Sequence, residues 1–152
     1  MQLNREDLLQ AYRSMRTIRD FEERLHVEFA SGEIPGFVHL YAGEEASAVG
    51  VCMHLTDRDT IASTHRGHGH CIAKGCDVEG MMAEIYGRRE GLCGGKGGSM
   101  HIADLSKGML GANGIVGGGP PPTMPFAPSM PLDRSAMCME PPLPRHEPVI
   151  LP

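Results

Sequence analysis

The chain has 152 residues, 41% hydrophobic and 22% charged, which suits one globular domain with a modest core and excludes a wholly disordered chain. A net charge of -5 argues against a nucleic-acid or anionic-membrane surface. The apolar runs are too short to span a bilayer and the first residues lack a signal peptide's apolar core, so a soluble cytoplasmic protein is expected.

Asn4 is a good N-cap, and Glu6 and Asp7 fall in a first turn where the helix dipole favours acids. Apolar residues then recur at Leu8, Tyr12, Met15, Ile18, Phe21, Leu25 and Phe29, a helical spacing with one buried stripe that Ser31-Gly32 ends. The charged residues between them, among them Arg19, Glu22 and Glu23, read as a solvated flank. Gly36 to Tyr41 reads as a short extended segment, Glu44 to His54 as a small-residue helix, and Thr60 to Thr64 as a strand that delivers His65 and Arg66 at its C-terminal end. Ligands of α/β folds bind outside that end of a sheet. Asp77 to Tyr86 is a second clear helix, capped by Asp77 and stopped by Gly87. From Gly87 to Gly119 there are 12 glycines in 33 residues, the mark of a long functional or disordered loop. Of the 12 prolines, 11 lie from Pro120 to Pro152, and the segment from Pro122 onward reads as a disordered, partly polyproline-II tail.

The chemistry concentrates between Thr64 and Gly119. Thr64-His65-Arg66-Gly67-His68-Gly69-His70 and Gly94-Gly95-Lys96-Gly97-Gly98-Ser99 set basic side chains beside glycines, which suits an anionic ligand, because glycine lets backbone N–H groups approach oxygens. Neither standard phosphate fingerprint is present, so an irregular glycine-rich connection is the competing reading. His65-Arg66 fits a phosphate clamp, against an arginine paired to a carboxylate. His65, His68, His70 and Cys71 have zinc-type side chains, but their spacing matches no common zinc motif. His39, between Val38 and Leu40, suits a core or interface histidine. The five cysteines, an odd count without Cys-x-x-Cys, fit free thiols.

Gly36-Phe37-Val38-His39-Leu40-Tyr41-Ala42-Gly43-Glu44-Glu45-Ala46, Ser63-Thr64-His65-Arg66-Gly67-His68-Gly69-His70, Gly95-Lys96-Gly97-Gly98-Ser99-Met100-His101 and Asn113-Gly114-Ile115-Val116-Gly117 together resemble the α subunit of thiamine-diphosphate-dependent 2-oxo acid dehydrogenases, the E1 component. The resemblance covers residues 1–121. It implies an α/β fold: the helix-rich N-terminal part of a thiamine-diphosphate-binding domain, followed by the tail at 122–152. It also implies a heterotetramer with E1 β subunits, acetoin or a 2-oxo acid such as pyruvate as substrate, and transfer of the acyl unit to a lipoyl-bearing E2. Arg66 would hold the diphosphate with His65 beside it. Gly114, Ile115 and Val116 would flank the aminopyrimidine, and His39 and His68 would line the substrate side as catalytic residues. Pyruvate-type members often carry Tyr at the place of His65, whereas acetoin-type members resemble this chain.

The departure lies in the metal site. Family α subunits bind Mg²⁺ through a Gly-Asp-Gly motif and a later Asn, and this sequence contains no Gly-Asp dipeptide. The resemblance therefore implies a truncated chain without metal ligands, inactive and weak in cofactor binding by itself. The alternative is a non-catalytic module that packs on a β subunit.

Overall fold

The computed structural model describes residues 3–56 and 58–115, together with a two-residue strand at 136–137. The first helix, α1 (Arg5–Ala30), begins at a capping box: Asp7 N–H donates to Asn4 Oδ1, and Asn4 N–H donates to Asp7 Oδ2, both at 2.9 Å. That satisfies two donors the helix cannot satisfy itself. The apolar stripe is only half used. Ile18, Phe21 and Leu25 are buried, whereas Leu8, Tyr12 and Phe29 are exposed. Helix α1 packs on α2 (Glu45–Cys52) and α3 (His68–Lys74).

Small residues let α2 approach closely. Ala48 and Val49 pack with Ile18 and Tyr41 in one apolar cluster. Strand β1 (Ile61–Thr64) follows, then α3, then α4 (Val78–Ile85), whose cap Asp77 accepts the Gly80 N–H at 2.7 Å. A 3₁₀ turn (Leu105–Lys107) leads into β2 (Met109–Asn113), and β3 (Ala136–Met137) completes the sheet. The strand order is β2-β1-β3, with both neighbours parallel to β1. Parallel pairing requires a long crossover, and the connection from β1 to β2 carries α3 and α4. The main core joins Phe21 and Leu25 of α1 to Ile61, Met81, Ile85 and Met109. Burying each such side chain contributes roughly 1.5–3 kcal/mol.

Three expectations change. Residues 68–74 form a helix where a glycine-rich loop was expected; Gly69 belongs there because the Tyr41 ring lies on it, and a Cβ would come within 2.1 Å of Tyr41 Cδ1. The glycine-rich stretch after Gly87 holds the 3₁₀ turn and β2. Residues 37–41 carry no ladder. Val116 and the proline-rich segment, apart from the backbone of 136–137, lie outside the described residues. Among the described residues no helix is long and apolar enough to cross a membrane.

Candidate functional site

Strand β1 aims Thr64, His65 and Arg66 beyond its C-terminal end. Thr64 pairs with Asn113 across the sheet, so Gly114 and Ile115 follow at the neighbouring end of β2. The sheet thus brings together four of the five residues expected to hold a cofactor: His65, Arg66, Gly114 and Ile115. The fifth is Val116. Three buried polar atoms here, Thr64 Oγ1, His65 Nδ1 and Arg66 Nε, have no hydrogen-bond partner among the described residues. Arg66 Nη1 donates to the Leu40 carbonyl at 2.5 Å, and none of the ion pairs among the described residues gives Arg66 a carboxylate. Buried polar atoms are normally satisfied, so this strand end is prepared for an outside acceptor.

His39 completes this wall. Its ring meets that of His65 edge-on, with centroids 5.2 Å apart and planes at 89°. Burial, then the nearby charge of His65, Arg66 and His68, holds the His39 pKa below its ordinary value. A ring of this kind is neutral at pH 7 and free to accept or donate a proton.

His68 lies beneath the wall and is fully buried. Its Nδ1 is 2.8 Å from Glu22 Oε1, and its Nε2 is 3.0 Å from the Ser99 carbonyl and 2.9 Å from Ser99 Oγ. Both ring nitrogens are engaged, so His68 acts on the site through Ser99. Glu22, expected on a solvated flank, is 0% exposed. The helical spacing from Ile18 and Leu25 puts it on the buried face, and His68 makes that burial tolerable.

The other candidates resolve into supports. His70 joins Ser63 Oγ at 2.6 Å through Nδ1 and Tyr41 OH at 3.0 Å through Nε2, tying β1, α3 and the 37–41 segment together. Burial pushes its pKa down to about 4, so it is neutral at pH 7. The four zinc-type side chains do not converge, and among the described residues no group of three or more His, Cys, Asp or Glu could hold a metal ion. Cys52, Cys71, Cys76 and Cys93 are free thiols. The glycine-rich loop folds around an internal anion: Glu84, on α4 and fully buried, accepts N–H bonds from Cys93 at 2.7 Å, Gly95 at 2.8 Å and Gly97 at 2.6 Å. Burial would raise the Glu84 carboxyl, and the backbone N–H groups outweigh it and hold its pKa below the ordinary value.

A model of the family described as dehydrogenase E1 component matches residues 13–128. The chain belongs to this family. It is 73% identical over 119 residues to the α subunit of acetoin:2,6-dichlorophenolindophenol oxidoreductase from Cupriavidus necator, covering 78% of this chain and 36% of that relative. The Bacillus subtilis protein of the same name is 71% identical over the same length, again with 36% of the relative covered. The α subunit of the pyruvate dehydrogenase E1 component from Rhizobium meliloti is 47% identical over 116 residues, or 76% of this chain and 33% of the relative. The chain thus spans about a third of the length of these relatives.

Dehydrogenase E1 components depend on thiamine diphosphate, and the strand end fits the anionic part of that cofactor: an arginine without a carboxylate partner among the described residues sits beside the buried atoms Thr64 Oγ1 and His65 Nδ1. Mg²⁺ does not fit the described residues, which bring no cluster of ligands together.

Proposed function

We propose that this chain supplies the diphosphate-facing wall of a thiamine-diphosphate-dependent E1 α subunit of the acetoin type, with Mg²⁺ ligands and further walls contributed by other segments or subunits. In this reading the assembled enzyme cleaves acetoin, or decarboxylates a 2-oxo acid such as pyruvate, and passes the acyl unit to a lipoyl-bearing E2. The single observation that carries it is the set of buried atoms at the end of β1 that have no partner among the described residues. When bound, the cofactor supplies an electron sink beside the substrate carbonyl. Arg66 and His65 bind and orient its diphosphate, Gly114 to Val116 flank its aminopyrimidine, and His39 holds or moves a proton on the substrate side. His68 is a positioning residue. A non-catalytic module that packs on an E1 β subunit is the second reading, favoured by the exposed Leu8, Tyr12 and Phe29 of α1.

The test is a nuclear magnetic resonance titration of the chain with thiamine diphosphate. Millimolar cofactor should shift the signals of His65, Arg66 and residues 113–115, without dependence on Mg²⁺, and Arg66→Ala should abolish the shifts. No shift in the wild type overturns the diphosphate reading. Coexpression with the β subunit of the Bacillus subtilis relative then separates the two readings: acetoin-dependent dye reduction supports the enzyme, and a complex without turnover supports the module.

A further inference from the structure

We propose that Glu22 is a positioning residue of this site: through buried His68 it fixes Ser99, and Ser99 fixes the main chain of His39. The assignment rests on the functional reading above for its consequence, and on geometry alone for its existence.

The chain of contacts is continuous. Glu22 Oε1 lies 2.8 Å from His68 Nδ1, and both side chains are 0% exposed. His68 Nε2 faces the Ser99 carbonyl at 3.0 Å and Ser99 Oγ at 2.9 Å. Ser99 Oγ accepts the His39 N–H at 3.2 Å, across 60 residues of sequence. The His39 ring in turn stands edge-on to that of His65.

The acceptors fix where the hydrogens sit. A carbonyl oxygen only accepts, so Nε2 carries a hydrogen and donates it to Ser99. A second hydrogen lies in the bond between Nδ1 and Oε1. The pair is therefore net neutral, which is what a sealed carboxylate requires. Glu22 Oε2 is buried with no partner among the described residues, so the bond to His68 is the side-chain hydrogen bond that compensates this carboxyl group. Without Glu22, Nδ1 loses its partner and nothing anchors the far side of the ring, so the ring is free to turn away from Ser99 and the grip on Ser99 is lost. The serine hydroxyl then no longer holds the His39 backbone, and the edge-on contact with His65 loosens.

The experiment uses the 152-residue chain with no thiamine diphosphate added, so its outcome is independent of cofactor binding. In histidine-¹⁵N spectra of the wild type, Nε2 of His68 should read as protonated. In Glu22→Gln the side-chain amide donates to Nδ1, Nε2 keeps its hydrogen, and His39 amide exchange should stay at the wild-type rate. In Glu22→Ala and Ser99→Ala the His39 amide should exchange about tenfold faster, the loss of one hydrogen bond. Ile18→Val, a packing change on the same buried face of α1, is the control: it should lower Tm without singling out His39. An unprotonated Nε2 in the wild type overturns the proposal. So does a Glu22→Ala chain whose His39 amide changes no more than that of Ile18→Val. Should Glu22→Ala fail to fold, the wild-type spectrum and Ser99→Ala still decide, and a normal His39 amide in Ser99→Ala overturns the link.

Discussion

Segments 64–69 and 93–99 both set glycines beside a basic residue, Arg66 in one and Lys96 in the other. In the first, Thr64 Oγ1, His65 Nδ1 and Arg66 Nε are buried and have no partner among the described residues. In the second, the N–H groups of Cys93, Gly95 and Gly97 all point at Glu84, and Lys96 is left exposed. In the reading proposed above, the first stretch takes its anion from a cofactor; the second already holds one of its own. A local signature of glycine and positive charge says that backbone donors are exposed to something. Whether that something is a ligand or a carboxylate from a nearby helix is decided by tertiary structure.

The comparison can be broken most severely at Glu84. Glu84→Ala strands three backbone donors in a buried site, at roughly 1–3 kcal/mol each. We expect a loss of about 3–9 kcal/mol, a large part of the total of roughly 5–15 kcal/mol of a typical domain. Circular dichroism melts check this, and a melt near that of the wild type would refute it.

The next effect is a pH dependence. The His70 pKa falls from 6.5 to about 4 on folding. The unfolded chain therefore binds the proton more readily, and stability is full above pH 6.5 and declines as pH drops toward 4. The whole effect amounts to about 3 kcal/mol. Glu84, also lowered, adds its own loss only below the ordinary glutamate range, so the two windows separate. Denaturant midpoints between pH 7 and pH 4.5 should fall in the wild type and stay flatter in His70→Gln. Equal slopes would remove His70 as the cause.

The smallest effect sharpens the contrast. Arg66→Ala, expected to abolish the cofactor shifts above, removes one hydrogen bond from a half-buried side chain and should cost about 1 kcal/mol or less. A large fall in stability would mean that Arg66 is a structural residue like Glu84.

Much of this was legible in the sequence where the determinants are local. Asn4 and Asp77 announce their helices because a cap needs only its own next turn. Thr64, His65 and Arg66 stand where a strand's end puts them. Helix α3 was not legible: His68-Gly69-His70 has poor helix propensity, and contacts from Tyr41, Ser63 and Glu22 hold it instead. Strand β2 hides because its pairing register shifts between Ile61 and Ser63, which interrupts regular alternation. Glu22 and Glu84 look like ordinary surface charges on amphipathic helices. Only the partners that reach them from 46 and 9–13 residues away reveal that they are interior.

Those separations also set an order of assembly. Glu84 finds its partners within 9–13 residues, so the cradle at 93–97 closes over a short loop, soon after its own segment emerges from the ribosome. Glu22 must wait for a histidine 46 residues later, and His39 for a serine 60 residues later. The Glu84 cradle is thus ready early, and the stitches that aim His39 are the last to be drawn tight.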